Sequence, residues 1–184
     1  YLDEKGLTAA DLDVTLMFNT SAGHQKIAEA IQSMWKDTLG VEVKLTNQEW
    51  KVYLHTTDGP DAPQVFRLGW CLDYPDANNF TKDLFALCGN CNACKDGKVY
   101  GGIQWYNEEY ESFIDQASKE MDPDKRMALY AQAADIAFKE DAVVAPIYWY
   151  SRVSLTKPYV TRTFSSGGHE YYEKWDIDMT AKMQ

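Results

Sequence analysis

The feature that most restricts the fold of this chain lies between Leu12 and Leu45. Leu12, Val14, Leu16 and Phe18 place an apolar side chain at every second position, the period of a strand with one face on a core. Asn19-Thr20-Ser21 then offers a helix N-cap, and Ile27, Ala30, Ile31, Met34 and Trp35 recur at helical spacing between Ala22 and Leu39. Gly40 stops that helix, and Val41, Val43 and Leu45 alternate as a second strand. A strand–helix–strand run normally gives two parallel strands joined by a right-handed crossover, so the expected class is α/β, a mixed sheet flanked by helices.

Further along, Gln48 to Thr57 reads as a short helix with Trp50, Tyr53 and Leu54 on one side, and Gln64 to Leu68 as a short third strand. Asp76 to Phe85 starts another helix with Asp76 as cap. Asn107 to Lys119 and Pro123 to Lys139 are amphipathic helices, the second opened by Asp122-Pro123 in the favoured N-cap and N1 arrangement. Ala142 to Tyr150 reads as an apolar strand. After Arg152 the pattern weakens, with a turn over Ser165 to Gly168 and a tail whose Tyr171, Tyr172 and Trp175 are expected to pack on something. Tyr1 to Gly6 looks like the tail of a helix whose beginning is missing, and the chain is read as a piece of a longer protein.

A length of 184 residues allows one domain or two small lobes. The formal net charge of −10 comes without a basic stripe, so nucleic acid is not an expected partner, and the same charge disfavours an anionic membrane surface. No apolar run is long enough to span a bilayer. There is no Gly-x-Ser-x-Gly elbow and no His-Glu-x-x-His, and His24, His55 and His169 stand far apart, so no catalytic residues and no enzymatic activity are expected. Without a Gly-x-Gly-x-x-Gly or a Gly-x-x-x-x-Gly-Lys-Ser motif, no nucleotide cofactor is expected either.

Four cysteines, Cys71, Cys88, Cys91 and Cys94, permit three disulfide connectivities if two bridges form. The spacing Cys88-x-x-Cys91-x-x-Cys94 also permits metal binding or thiol chemistry. A structural zinc usually takes four ligands and no fourth lies nearby, so a disulfide in an exported, glycine-rich loop is the favoured reading and no metal site is expected.

The segment Arg67-Leu-Gly-Trp-Cys-Leu-Asp-Tyr-Pro-Asp-Ala-Asn-Asn-Phe80 crowds aromatic rings, an arginine and two carboxylates around one glycine at a strand end. Open α/β sheets hold their ligands there. Asp73 and Asp76 are close enough to share a site as paired carboxylates; the favoured reading has Asp76 capping the following helix, whereas Asp73 has no capping role at that distance and is freer to hold a ligand cation. Trp50 and Trp70 adjoin charged residues at element ends, a position that suits a ring facing a cleft as well as one in a core.

Several ordered blocks resemble the oligopeptide- and dipeptide-binding proteins, the family 5 extracellular solute-binding receptors of ABC importers. They are Phe18-Asn-Thr-Ser21 with His24, Trp35-Lys-x-x-Leu-Gly-Val-x-Val43, Asn47-Gln-Glu-Trp50, Arg67-x-Gly-Trp-Cys-x-Asp-Tyr74, and Pro146-Ile-Tyr-Trp-Tyr150 with Lys157-Pro158. The resemblance implies one lobe of a two-lobed periplasmic-binding-protein fold of type II. Residues 1–151 would form the ligand-binding lobe, and 152–184 would return towards the other lobe of the same protein. It implies a short extended peptide as ligand, a membrane permease as partner, and a periplasmic or extracellular location, with or without a lipid anchor.

Residue by residue, the same resemblance implies that Asp73 meets the peptide's α-amino group. Gly69 and Cys71 would offer main-chain hydrogen bonds. Arg67 and His24 would meet the carboxylate end at different ligand lengths, Trp50 and Trp70 would line side-chain pockets, and Asn19 is a further contact. The family cysteine matching Cys71 is bridged outside this segment, and the Cys88–Cys94 loop departs from the family pattern. Thr57 and Asp58 replace basic residues, which implies a more acidic pocket. A non-peptide solute on the same fold, or a zinc or thiol domain built on Cys88, Cys91 and Cys94, are the alternative readings.

Overall fold

The computed structural model describes residues 2–165 and 168–183, so Tyr1 and the Ser166-Gly167 part of the expected turn lie outside the described residues. One turn of helix, α1 (Leu2–Lys5), and a 3-10 turn (Ala9–Asp11) lead into β1 (Val14–Asn19), α2 (Ala22–Leu39) and β2 (Val43–Gln48). Gly40 closes α2 with φ 68°, a left-handed value that most side chains disfavour, and its N–H returns to the Lys36 and Trp35 carbonyls. The chain continues through α3 (Trp50–Thr57) to the short β3 (Val65–Phe66).

The three strands form one parallel sheet in the order β2-β1-β3. β1 is in register with β2 from Val14↔Val43 to Asn19↔Gln48, and with β3 at Leu16↔Val65 and Met17↔Phe66. The alternating pattern predicts one buried face for β1, but Met17 is buried as deeply as Leu16 and Phe18. A central strand of a parallel sheet is covered on both sides. Leu16 and Phe18 pack with Ala28, Val41 and Val43, with Ile31 and Trp35 of α2 beside them. On the other side Tyr53 of α3 is fully buried and its hydroxyl donates to the Arg67 carbonyl.

The second half is helical. α4 (Asn78–Phe80) runs into a turn of π-helix (Thr81–Phe85). A cysteine loop with the hairpin β4 (Cys94–Lys95) and β5 (Lys98–Val99) follows, then α5 (Glu108–Lys119) and α6 (Pro123–Asp135), extended by a second π turn (Ile136–Glu140). Asn107 caps α5 through the Glu109 and Tyr110 N–H groups, and Asp122 caps α6 through Asp124 and Lys125. A second core gathers Leu84, Phe85, Tyr110, Ile114, Tyr130 and Ile136. None of these helices is long and apolar enough to cross a membrane.

The expected strand from Ala142 to Tyr150 does not form. Residues 142–150 have no ladder partner among the described residues, and Ile147, Tyr148, Trp149 and Tyr150 are exposed. Apolar and aromatic composition made this stretch resemble a strand, but strand character requires a neighbour for its N–H and C=O groups. The chain ends in a two-stranded pair, β6 (Val160–Thr161) and β7 (Asp176–Ile177), and the turn α7 (Met179–Lys182).

Candidate functional site

Because β1, β2 and β3 run parallel, their carboxyl ends share one edge of the sheet. Asn19 ends β1, Trp50 opens the helix after β2, and Arg67 follows β3. Arg67 Nη1 donates to Asn19 Oδ1 at 3.3 Å, and the Asn19 carbonyl accepts from His24 Nδ1 at 3.2 Å. The structure therefore brings three of the predicted residues into one cluster. Trp50 stands at the same edge with its ring 46% exposed, stacked on Tyr53 at 6.1 Å between centroids.

Beyond Arg67 the backbone passes through Gly69, Trp70 and Cys71 outside any helix or strand. Among the described residues, the N–H and C=O groups of these three make no hydrogen bond within the chain. Gly69 is tightly placed: a Cβ there would lie 3.1 Å from Arg67 Nη2 and 3.5 Å from a carbon of the Tyr150 ring. Trp70 turns inward, packs on the second core, and donates from Nε1 to Asn79 Oδ1 at 2.9 Å. Cys71 is an exposed free thiol.

Asp73 is held by a residue that the sequence reading passed over. Asn79 is fully buried. Its Oδ1 also accepts from the Asp73 N–H at 3.0 Å, and its amide donates to Asp73 Oδ2 at 3.1 Å and to Asp83 Oδ2 at 3.0 Å. All four hydrogen-bonding positions of the amide are filled, and the Asp73 carboxylate, which is exposed, keeps one oxygen without a partner among the described residues. A cavity of about 380 Å³ opens beside it, lined by Lys82, Asp83, Leu87, Cys88, Asn90 and Glu111 among others.

The helix begins one residue later than expected, with Ala77 at the N-cap position and no side-chain cap there; Asp76 instead accepts from the Asn78 N–H at 2.8 Å and takes both terminal nitrogens of Arg126 at 2.5 and 3.0 Å. The guanidinium holds the Asp76 carboxyl below the usual carboxylate range. Arg126 and Tyr150 are the other residues that the sequence did not single out. Tyr150 accepts from Arg67 Nη2, although 83 residues separate them.

A disulfide in the cysteine loop, the favoured reading, does form, while one alternative and one expectation do not hold. Cys88 and Cys94 form a disulfide and Cys91 is buried, its thiol pushed up to about 11 by burial, so a metal or thiol centre built on the three cysteines is not what forms. Among the described residues, no three His, Cys, Asp or Glu side chains converge on a metal position. Thr57 and Asp58 do not face the carboxyl edge of the sheet either. They lie at the far end of α3, about 10 Å along its axis from Trp50. Thr57 is buried with its hydroxyl on the Tyr53 and Leu54 carbonyls.

Residues 1–90 match the model of the bacterial extracellular solute-binding proteins, family 5, middle segment. The chain is 35% identical over 183 residues to the periplasmic oligopeptide-binding protein OppA of Escherichia coli, covering 99% of this chain and 30% of that protein. It is 38% identical over 152 residues to the oligopeptide-binding protein OppA of Bacillus subtilis, covering 82% and 26%. Among solved structures, the chain is similar to the unliganded open form of the murein tripeptide-binding protein MppA (TM-score 0.70, 36% identity, 87% of this chain and 29% of that one). It is also similar to Haemophilus influenzae OppA in complex with the peptide RPPGFSPFR (TM-score 0.74, 31% identity, 96% and 33%). The chain thus spans about three tenths of the length of the curated relatives it matches.

Proposed function

Because the chain belongs to the bacterial extracellular solute-binding proteins of family 5, we propose that it forms the ligand-binding lobe of a periplasmic or extracellular receptor, one that captures short peptides in an extended conformation and hands them to the membrane permease of an ABC importer. The observation that carries this reading is the run of unpaired main-chain groups at Gly69–Cys71, set between a guanidinium and a carboxylate. An extended peptide can add to such an edge as a further strand, with its main chain supplying the hydrogen bonds.

In this reading Gly69 and Cys71 pair with the peptide backbone, and the absence of a side chain at Gly69 lets the two backbones approach. Asp73 meets the α-amino group with its unpaired oxygen. Arg67 and His24 meet the carboxylate end, at different peptide lengths. Trp50 and Trp70 bound side-chain pockets, and Asn19 acts through Arg67. Residues 152–184 return towards a second lobe, residues 1–151 form the lobe described, and closure of the two expels water from the ligand. The protein binds and releases its ligand without a catalytic step.

Calorimetric titration of the full polypeptide with tri-alanine and N-acetyl-tri-alanine, before and after Asp73→Asn, tests the assignment. The parent is expected to prefer the free amine. The substitution should weaken tri-alanine by about thirtyfold, equivalent to ~2 kcal/mol, and the acetylated peptide much less. Equal losses for both peptides would remove Asp73 from the amine-binding role.

A further inference from the structure

The cation at the head of the site is held without being neutralised. Arg67 makes no ion pair among the described residues, in a chain whose formal net charge is −10. Its hydrogen-bonding partners there are both neutral acceptors: the Asn19 amide oxygen on Nη1 and the Tyr150 hydroxyl on Nη2. A carboxylate partner would fix the guanidinium equally well but would consume the charge that an anionic ligand group needs. Two neutral tethers fix its direction and leave its charge, and three of its five N–H donors, available.

The two tethers differ in where they come from. Asn19 belongs to the sheet itself. Tyr150 lies in the irregular segment after the second core, so its hydroxyl ties Arg67 to a separate part of the chain. Tyr150 is 62% exposed, too open for a core-packing role, yet its ring has two close neighbours. Tyr148 lies edge-on at 4.8 Å between centroids, and the Arg67 guanidinium carbon is 5.9 Å from the ring centre. Gly69 lies against the pair: a Cβ there would crowd Nη2 at 3.1 Å and touch the ring at 3.5 Å. The long arginine side chain would otherwise sample many rotamers, at an entropic cost to every bound state.

Building on the carboxylate-binding role proposed above for Arg67, we infer that Tyr150 is the positioning residue that aims its guanidinium. Tyr150 thereby sets how strongly the site prefers a ligand with a free carboxylate over one whose terminus is blocked. The phenol adds no charge of its own; it converts a mobile cation into a directed one, which is what bidentate recognition of a planar carboxylate requires.

The test compares tri- and tetra-alanine with their C-terminal amides, titrated into the full polypeptide and its Tyr150→Phe, Arg67→Ala and doubly substituted forms. The readout is the ratio of acid to amide affinity. Tyr150→Phe is expected to lower that ratio by about tenfold, with amide affinity and thermal midpoint unchanged, and to add nothing in the Arg67→Ala background. If Tyr150→Phe leaves the ratio intact while Arg67→Ala lowers it, the positioning role is overturned and the role of Arg67 stands. If acid and amide weaken equally, Tyr150 is merely structural and the inference is again overturned. If Arg67→Ala itself leaves the ratio unchanged, the carboxylate-binding reading fails and takes the inference with it.

Discussion

Replacing Asn79 by aspartate keeps the size of the side chain and both of its acceptor contacts, to Trp70 Nε1 and the Asp73 N–H. What changes is the other end. An amide that donates to Asp73 Oδ2 at 3.1 Å and Asp83 Oδ2 at 3.0 Å becomes an oxygen facing two carboxylate oxygens. At an effective dielectric near 20, two unit charges ~3 Å apart repel by roughly 5 kcal/mol, before any relaxation. Taking up a proton is cheaper, so the introduced carboxyl should titrate well above its unfolded value of about 4. Complete burial of this position acts in the same direction.

The sign follows from linkage. Above about pH 4 the unfolded chain releases this proton and the folded chain keeps it, so rising pH favours unfolding of the variant. Each pH unit costs about 1.4 kcal/mol until the folded value is passed. With a folded value near 7, the variant should be about 4 kcal/mol less stable than the parent by pH 7, on top of a roughly 1 kcal/mol deficit already present at pH 4, where a single O–H can serve only one of the two carboxylates. Urea unfolding of parent and variant at pH 4, 5.5 and 7 measures the difference directly. A deficit that stays constant over this range, or that grows as the pH falls, would refute the account of Asn79 as the donor between two carboxylates.

Three further outcomes follow from the same structure. Arg126→Met should cost about 2 kcal/mol at pH 7, because it leaves Asp76 without its bidentate partner. The Asp76 carboxyl is held low in the folded state, so the ion pair's contribution is present above about pH 4 and fades as the pH falls through the lowered value. Thermal unfolding at pH 7 and pH 3 should therefore show the parent's advantage shrinking in acid, and an advantage that persists undiminished at pH 3 would count against it. Reduction of Cys88–Cys94, which closes a short loop, should lower stability by about 2 kcal/mol. Thiol labelling of the unreduced protein should modify Cys71 in the native state and Cys91 only after unfolding, and rapid native labelling of both would contradict the burial of Cys91.

The parts of the fold that the sequence disclosed are those whose physics is local. The α2 helix begins after Ser21, although that side chain makes no cap hydrogen bond, and ends at Gly40 as predicted, and Asp122 caps the helix that follows it, because such signals act within four residues. Local signals also explain the strand that does not form. Ala142 to Tyr150 carries strand composition, but a strand is defined by a partner elsewhere, and none meets it among the described residues. The cysteine spacing left three connectivities open, and the bridge that forms is a local one.

The candidate site divides in the same way. Resemblance located Asp73, Arg67 and Gly69 by their neighbours in the chain. Asn79 and Tyr150 stand in segments already quoted from the sequence, but their roles and that of Arg126 come from contacts across 6, 83 and 50 residues, which the pattern itself does not assign. Asp76 shows both sides at once, since its contact with Asn78 was legible and its ion pair was not.

The two hydrophobic cores meet along the chain at a single peptide step. Arg67 is bound to the first, through its N–H to the Met17 carbonyl at 2.9 Å, and Leu68 and Trp70 pack on the second. Buried clusters of this kind commonly open as cooperative units, each with its own free energy. A peptide gripped at Arg67 on one side of that step and at Asp73 on the other would act as a rivet across it. Opening of either unit would then break ligand contacts, and two neighbouring equilibria would become one. In such a molecule the ligand contributes cooperativity as well as stability, and occupancy is legible in the sharpness of unfolding as well as in its midpoint.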